Sequence, residues 1–564
     1  MVFETDLDQM IRWQNRKSRY LSFKFLSILT KSERRNYLGI ITSYVVVAGL
    51  DAMSIYAVYM MVDRFQLNQG SNASVKVLAT GLVVLLVLRA GVGVAATFLN
   101  ARWSEGLLKR LLNDVFKLNL SQTYESMTKK NKGELIRDIN QVRFVIDGFT
   151  EPVLSLSREL FTASAILLTL LILDPVFATV TAIITGYFGI SLTRKLSLLS
   201  RSFGERRNVD SATLNNITSE VYDGGREIRA HTWQNMYLDR FSEAAGSYAL
   251  ASSRFLFALS APRFLFEVLA VGSTAIAAGV SIWIRSDAAN IAALLAAVGV
   301  AAVRLAPSAA VVSASLQSVT FHSPQVASAL DELYLLRTAP DSKHLNESSP
   351  FIGEHGERSG GDVTISIDGL QVERGGVLIP SKPMSASIEG PGLFCLVGES
   401  GKGKSTVLNV LMGFESRTRG QITVNHSKSP SLLSSVVSVS FVGQEPFIPS
   451  GSLTKILSLE GHNLSSIDKV LEGFNLNRRI SPDDDLMHEE ISLSGGERYR
   501  LALVTAVCRD STLMIFDEPT AFLDQQNVAL VVRKLKELSN DHLVICSTHD
   551  ETLINEADQV LRIE

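Results

Sequence analysis

Long apolar blocks separated by polar stretches dominate the first part of the chain. A helix needs about 20 apolar residues to cross the hydrocarbon core of a bilayer, and several blocks approach or exceed that length. They occupy residues 37–62, 75–99, 152–173, 176–192, 255–284 and 288–312. If these blocks were core helices of a soluble domain, no amphipathic helices would be left to cover them. The pattern therefore predicts six transmembrane helices.

The polar segments between these blocks predict the topology. Residues 1–36 carry an excess of Lys and Arg beside the first block, which places that end in the cytoplasm. Within this segment, residues 20–29 predict an interfacial helix. Residues 100–150 and 193–254 are long and charged, so we expect them to continue the transmembrane helices into the cytosol. The other joins are short and are predicted to lie outside.

The character of the sequence changes after the sixth block. A stretch rich in Ser, Gly, Pro, Asp and Glu predicts a linker. Beyond it, short β-branched runs alternate with helical stretches, which is an α/β pattern. We therefore expect a six-helix, all-α transmembrane domain over residues 1–341, a linker over 342–362 and an α/β domain over 363–564.

Composition narrows the possible functions. Lys and Arg number 54 against 57 Asp and Glu, so the net charge of −3 argues against a dedicated nucleic-acid-binding protein. The cysteines, Cys395, Cys508 and Cys546, form neither a disulfide scaffold nor a zinc-binding pattern. We expect them to be buried or partly buried thiols.

The α/β domain contains a sequence that matches a phosphate-binding loop. A strand-like run over residues 393–397 precedes the letters GESGKGKST, and a helix-like run follows them. This is the strand, loop and helix context that the GxxxxGK[ST] motif requires. In that context Lys404 is predicted to reach the β- and γ-phosphates and Ser405 to bind Mg²⁺.

Two further strand-like runs end in residues suited to phosphate chemistry. The run 512–516 is followed directly by Asp517 and Glu518. An acid at the end of a strand beside a phosphate loop holds Mg²⁺, and the next acid can act as the general base for water. The run 543–546 leads to His549, a candidate contact for the γ-phosphate.

The letters LSGGE at residues 493–497 specify the subclass. They resemble the LSGGQ signature of the ATP-binding cassette (ABC) proteins, with Glu in the last position. Gln444 resembles the glutamine of the family's Q-loop, Asp524 the acid of its D-loop and His549 its switch histidine. The α/β domain therefore resembles a P-loop ABC ATPase.

This resemblance implies a head-to-tail pair of such domains with ATP between them. It implies catalytic roles for Glu518, His549 and Gln444, and Mg²⁺ ligands at Ser405, Gln444 and Asp517. The residues implied to lie around the nucleotide are Gly398, Glu399, Ser400, Gly401, Lys402, Gly403, Lys404, Ser405, Thr406, Ser494, Gly495, Gly496, Asp524 and Arg374. One chain supplies two half-sites and no complete site. The sites for the cofactors ATP and Mg²⁺ would therefore be completed by a second copy of the chain in a homodimer.

Six membrane spans ahead of one ATPase domain resemble a half-transporter of the ABC exporter type. In such exporters two cytosolic loops end in short coupling helices, and residues 121–129 and 221–229 are the candidates here. The resemblance implies a multi-pass protein of the bacterial inner membrane, with a cytoplasmic N-terminus and a cytoplasmic ATPase domain.

Charges inside the apolar blocks are the clue to the substrate. Arg89, Arg263 and Arg304 interrupt three of them. An arginine in the middle of a span costs about 2.5–3.5 kcal/mol on insertion scales, so these groups should face a cavity or pair with acids such as Asp51 and Glu267. Two interpretations remain open: an anion-binding belt or structural ion pairs.

The segments around these arginines resemble one group of exporters. VLRAG, SAPRFLFE and VRLAPSA are similar to segments of PglK-type lipid-linked oligosaccharide flippases and related polysaccharide exporters. This implies transport of a pyrophosphate-linked glycolipid from the cytoplasmic to the outer leaflet. The loop 63–76 is short for the extra external helix of those flippases. An exporter of peptides or amphipathic small molecules is the alternative.

Arg374 generates a prediction about base selectivity. ABC exporters usually have an aromatic residue that stacks on adenine upstream of the phosphate loop, and alignment places Arg374 there. A guanidinium can also lie over a π-face, but without an aromatic platform the site would recognise mostly the triphosphate and Mg²⁺. We expect GTP to support hydrolysis within about tenfold of ATP, a difference of about 1.4 kcal/mol. Steady-state hydrolysis of both nucleotides by the purified protein measures this ratio. A much stronger preference for ATP would mean that another side chain provides the stacking surface.

Overall fold

The chain divides into two compact units. One comprises Met1–Gln122 and Lys130–Ser342, and the other comprises Thr123–Lys129 and Lys343–Glu564. The computed structural model describes residues 21, 23–66, 72–121, 124, 127, 132–285, 291–338, 363–374, 377–399, 401–415, 417–429, 432, 438–459, 467–486, 493–521 and 523–563. The predicted linker, 342–362, lies outside the described residues.

The described part of the first unit is helical. Its helices are α1 (Lys31–Gln66), α2 (Asn72–Ser121), α3 (Lys132–Val145), α4 (Glu151–Leu173), α5 (Pro175–Asp223), α6 (Gly225–Ala230), α7 (Gln234–Arg285) and α8 (Ile291–Thr338), with a π-helical turn at Ile146–Thr150 between α3 and α4. Six helices in the described residues are long and apolar enough to cross a membrane. Each predicted block falls within one helix, apart from residues 288–290, which lie outside the described residues.

Four of these helices are much longer than a bilayer requires. Helices α2, α5, α7 and α8 have 50, 49, 52 and 48 residues. At 1.5 Å per residue they extend about 70–80 Å, whereas the hydrocarbon core is about 30 Å thick. The long polar segments therefore continue the helices, as their charge pattern predicted.

The short turning segments match the sequence in part. Helix α5 ends at Asp223, Gly224 interrupts it and α6 begins at Gly225, inside the predicted segment 221–229. Of the other predicted segment, 121–129, Tyr124 and Met127 are described as helical beyond the end of α2. Tyr124 packs its ring 5.1 Å from that of Phe414 within the second unit.

The N-terminal helix predicted over residues 20–29 is helical at residues 21 and 23–28. Its apolar residues Leu21, Phe25 and Ile28 are buried in one cluster with Leu107 of α2 and Leu330 of α8. This burial fixes one face of the helix against the long helices of its own unit.

The second unit contains two sheets. Its strands are β1 (Thr364–Arg374), β2 (Val377–Glu389), β3 (Gly392–Val397), β4 (Arg419–Val424), β5 (Ser427–Ser429), β6 (Val439–Val442), β7 (Leu513–Asp517), β8 (Leu543–Thr548) and β9 (Gln559–Arg562). One sheet is antiparallel in the order β2-β1-β4-β5, and the other is parallel in the order β6-β7-β8-β3-β9. The described helices are α9 (Lys404–Met412), α10 (Leu453–Leu459), α11 (Ile467–Gly473), α12 (Gly495–Cys508), α13 (Gln525–Leu538) and α14 (Glu551–Glu556).

The parallel sheet positions the candidate site. Its central strands β3, β7 and β8 are almost continuously apolar because both faces of the sheet are covered. These are the three strands predicted from residues 393–397, 512–516 and 543–546. Since the strands are parallel, the residues that follow them meet at one edge.

The cysteines are buried free thiols, as expected from the sequence. Cys395 and Cys546 face each other across β3 and β8. Burial raises the pKa of Cys395 to about 12 and that of Cys508 to about 11. They are therefore neutral, unreactive core side chains at physiological pH.

Candidate nucleotide site and membrane-domain arginine cluster

The predicted phosphate loop connects β3 to α9. Gly401 and Gly403 have φ angles of +84° and +95°, which side chains with a Cβ rarely adopt. A Cβ on Gly403 would also lie 2.2 Å from Cγ2 of Ile379. Ser400 lies outside the described residues. Glycine at these two positions lets the loop turn sharply into the N-terminus of α9, a favourable place for an anion.

Lys404 lies folded across this loop. Its side chain is only 5% exposed, and Nζ donates to the carbonyl oxygens of Gly398 at 2.9 Å and Glu399 at 3.4 Å. The ammonium group also lies 3.9 Å from Oε1 of Glu518. A buried cation is thus held at the mouth of the loop, where its predicted contact with phosphate requires it.

Ser405 and Asp517 meet at the sheet edge. Ser405 Oγ donates to Asp517 Oδ1 at 3.3 Å, and the Ser547 hydroxyl donates to the same oxygen. A serine hydroxyl beside a carboxylate fits Mg²⁺, which takes oxygen ligands and completes its shell with phosphate and water. Ser547 was not predicted from the sequence.

Glu518 lies among the other predicted residues. Gln444 Nε2 donates to its Oε2 at 3.1 Å, and His549 Nδ1 lies 3.6 Å from its Oε1. Lys404, Gln444 and His549 come from three separate motifs and surround this one carboxylate. The structure therefore brings together the residues predicted to act on the γ-phosphate.

The signature residues form a helix N-terminus. Ser494 is the N-cap of α12, and its Oγ accepts from the Glu497 backbone N–H at 3.3 Å. In return, Glu497 Oε2 accepts from the Ser494 backbone N–H at 2.9 Å, so the two form a capping box. This backbone hydrogen bond lowers the pKa of Glu497. Gly495 and Gly496 occupy the first turn, and a Cβ on Gly495 would meet only open space.

The two remaining predicted nucleotide residues lie at element ends. Asp524 caps α13, where its Oδ1 accepts from the Asn527 backbone N–H at 2.8 Å. Arg374 is the last residue of β1 and pairs with Val377 of β2. Its side chain lies outside the described residues, so the prediction about base stacking stays a prediction.

Two of the three membrane-domain arginines meet at one acid. Asp51 on α1 is a buried carboxylate with a side chain 1% exposed. Its Oδ1 accepts from Nε of Arg89 on α2 at 3.0 Å and also contacts Nη1 of Arg304 on α8. Asp51 was one of the two acidic partners predicted from the sequence.

A third arginine that the sequence analysis missed lines the same cavity. Arg158 on α4 pairs with Glu159 at 3.0 Å, and Ser308 donates to Glu159 at 2.7 Å. These residues line a cavity of about 870 Å³ together with Asp51, Arg89 and Arg304. The cavity wall therefore carries three guanidinium groups and two carboxylates.

Arg263 is not brought to the other two predicted arginines. Its side chain is 72% exposed on α7 and lies 3.3 Å from Glu267, the other predicted partner. It is not among the residues that line the charged cavity. Within one chain the structure therefore brings together Arg89 and Arg304 but not Arg263, and the belt of all three stays a prediction.

Comparisons with known proteins agree with both halves of this description. A family model described as the ABC transporter transmembrane region matches residues 37–302, and one described as ABC transporter matches residues 381–521. The ATP-dependent lipid A-core flippase of Neisseria meningitidis serogroup A is 24% identical over 501 residues, covering 85% of this chain and 77% of the relative. The flippase of the same name from Dechloromonas aromatica is 25% identical over 394 residues, or 66% of this chain and 63% of the relative.

A solved structure supports the fold. A bacterial Atm1-family ABC exporter with ATP bound superimposes with a TM-score of 0.71 at 16% identity, covering 94% of this chain and 93% of that chain. The chain therefore belongs to the ABC transporters. It is an exporter-type half-transporter, a multi-pass membrane protein whose α/β domain binds and hydrolyses ATP in support of transport.

The contacts of Glu518 generate a prediction about hydrolysis. Glu518→Gln removes the carboxylate predicted to act as the base but leaves the phosphate loop intact, so nucleotide should still bind while turnover falls by at least about 100-fold. The measurements are ATP affinity and steady-state hydrolysis on the same preparation. The control is Glu556→Gln, which changes an exposed carboxylate of α14. Near-normal turnover in Glu518→Gln would reject Glu518 as the base.

Proposed function

We propose that this chain forms a homodimeric, ATP-driven flippase for a pyrophosphate-linked glycolipid. Its substrate class would be a lipid-linked oligosaccharide or polysaccharide precursor, moved from the cytoplasmic to the outer leaflet of a bacterial inner membrane. The observation that carries the proposal is the cavity lined by Arg89, Arg158 and Arg304. The relatives named as lipid A-core flippases support the broader part of the proposal, transport of a lipid-linked substrate.

The charges of this cavity favour an anion. Arg89 and Arg304 share the single carboxylate of Asp51, and Arg158 is paired with Glu159. One guanidinium charge is therefore left without a carboxylate of its own among the lining residues. Arginine presents a planar fork of donors that matches phosphate oxygens. A pyrophosphate would supply the missing negative charge, and two copies of the chain would double the site.

An apolar cavity beside the charged one favours a ligand with hydrocarbon chains. It measures about 420 Å³ and its lining includes Leu167, Phe177, Phe266 and Leu305. Ser308 lines both cavities. An amphipathic anion could therefore place its headgroup among the arginines and a chain against α4, α5 and α8. This second cavity also suits the alternative function, export of peptides or amphipathic small molecules.

The nucleotide chemistry follows from the sheet edge. In our proposal Lys404 and the loop amides hold the phosphates, and Ser405, Asp517 and Gln444 hold Mg²⁺, which would neutralise charge on them. Glu518 takes the proton of the attacking water and His549 contacts the γ-phosphate. The signature residues, including Ser494, would complete the site of a second copy. Such a homodimer would have two competent sites.

A complementation experiment tests the shared site. Lys404→Ala should weaken ATP binding in its own chain, whereas Ser494→Arg should block the neighbouring chain's site. A dimer containing one of each retains one intact composite site, so differently tagged chains, purified as a mixed dimer, should hydrolyse ATP well above either parent. The control pairs Ser494→Arg with a chain carrying both substitutions, which leaves no intact site. Equal activity in the two mixtures would contradict the shared site.

The arginine cluster generates the test of the substrate. Each charge-assisted contact to phosphate contributes about 1.5–3 kcal/mol, so replacing Arg89 and Arg304 with Ala should reduce glycolipid flipping by about 100-fold or more. Basal ATP hydrolysis should survive, because the phosphate loop is unchanged. Arg→Lys should rescue flipping only in part, because a point charge lacks the planar fork. The rate of glycolipid flipping, the basal rate of ATP hydrolysis and the melting temperature are measured on the same purified protein, with flipping measured after reconstitution into proteoliposomes.

The controls separate anion binding from structural pairing. Arg263→Gln removes a membrane-domain arginine outside the cavity and should leave flipping within about twofold. If Arg89 and Arg304 serve only to neutralise Asp51, their loss should lower the melting temperature, and adding Asp51→Asn should restore both stability and flipping. Wild-type flipping in a stable double-alanine variant would favour the exporter of peptides or small molecules.

A further inference from the structure

The peptide bond between Asp517 and Glu518 is held at both ends. Its carbonyl oxygen, on Asp517, accepts a hydrogen bond from the Tyr499 hydroxyl at 3.1 Å. Its N–H, on Glu518, donates to the Ser547 carbonyl oxygen at 3.0 Å and lies 3.1 Å from Ser547 Oγ. This peptide joins the predicted Mg²⁺ ligand to the predicted base.

Glu518 needs such support because its backbone is strained. Its φ angle is +52°, in the left-handed region that residues with a Cβ rarely adopt. Strained conformations persist where the surrounding structure over-determines them, and they cluster at active sites. Rotation of the 517–518 peptide would relax the strain and swing the Glu518 carboxylate away from Gln444, which donates to it at 3.1 Å.

Tyr499 is well placed to prevent that rotation. It is the largest fully buried side chain of the described residues, with 0% of it exposed. Its hydroxyl is a donor that reaches the Asp517 carbonyl oxygen from inside the core, where water does not compete for the bond. It lies on α12, the helix that Ser494 begins, and so also ties the signature helix to the strand end that carries the base.

We propose that Tyr499 is a positioning residue for ATP hydrolysis: its hydroxyl holds the Asp517–Glu518 peptide, and thereby the Glu518 carboxylate, in the geometry needed to activate water. This inference rests on the proposed role of Glu518 as the base. With its side chain fully buried, Tyr499 would act through this peptide and not directly on the nucleotide. Its loss therefore changes the rate of the chemical step and leaves the phosphate loop as it was.

Tyr499→Phe in the full-length transporter tests the proposal, because it removes the hydroxyl and keeps the ring. The expected result is a fall in kcat of at least about tenfold, with KM for ATP and the nucleotide Kd within about twofold. Single-turnover hydrolysis is measured in the Glu518→Gln background as well. There Tyr499→Phe should change the residual rate by less than about twofold, because residues that act as a unit are not additive.

Ser440→Ala is the matched control. Ser440 is buried, and its hydroxyl is hydrogen-bonded to Ser511 Oγ at 2.8 Å and to the Ala506 carbonyl oxygen at 3.3 Å. Ser511 precedes β7 and Ala506 lies near the C-terminus of α12, so both partners are at the ends of these elements that are far from the site. Like Tyr499→Phe, the Ser440→Ala substitution removes one buried hydroxyl. It should therefore lower the melting temperature but leave kcat unchanged. If Tyr499→Phe is not recovered as folded protein, Tyr499→Met removes the hydroxyl with a more adaptable side chain.

The outcomes are distinct. Wild-type kcat in a folded Tyr499 variant overturns the proposal, and so does a fall in kcat of equal size with and without Glu518→Gln. A loss of nucleotide affinity that matches the loss of kcat also overturns it, because the role would then be structural. If the Glu518→Gln variant alone still hydrolyses ATP at a near-normal rate, the assignment of Glu518 as the base is wrong. That result requires no Tyr499 variant, so it is distinguishable from a failure of the Tyr499 proposal.

Discussion

The pairing of β8 between β3 and β7 is the interaction on which the nucleotide site depends. Leu543 of β8 is in register with Gly392 of β3 on one side and with Leu513 of β7 on the other. The phosphate loop, the Asp517–Glu518 pair and His549 follow these three strands, so they reach one edge of the sheet. Apolar burial on both faces fixes the register, since a slip would move every buried side chain to the wrong place. Catalytic geometry is in this sense a consequence of packing.

A different constraint governs the membrane domain, where charges are expensive. Asp51 is almost fully buried, and two arginines from two other helices meet it. The carboxylate needs a counter-charge, but a second guanidinium exceeds that need. The excess is what distinguishes this cluster from an ordinary structural pair such as Arg263 and Glu267. These groups line a cavity of about 870 Å³, which is where the proposed anion would bind.

The sequence predicted residues that motifs name and missed residues that only packing reveals. Hydropathy located the six membrane helices and the three central strands, and motifs together with the resemblance to ABC proteins located the residues around Glu518, because each of these leaves a local pattern. Ser547 and Tyr499 leave none: one is an ordinary strand residue and the other an ordinary helix residue until β8 and α12 pack against β7. Arg158 stands beside Glu159 inside the predicted block 152–173, and only the folded structure shows that it lines the same cavity as Arg89 and Arg304.

Glu497, which replaces the usual Gln of the signature, affects both the start of α12 and the charge that this helix would present to a nucleotide. Either residue can accept the N-cap N–H of a capping box, so α12 begins equally well with Glu497. The hydrogen bond from Ser494 lowers the pKa of this carboxyl, which is therefore charged at neutral pH. A negative charge at a helix N-terminus is favourable by itself, but in the proposed homodimer this turn would lie against the phosphates of a second copy's nucleotide, which would repel the carboxylate. Arg479 Nε lies 3.3 Å from Glu497 and offsets that charge. The capping box uses the backbone N–H groups of Ser494 and Glu497, and Gly495 between them leaves the first turn free of side-chain obstruction, so an anion could still approach the helix end there.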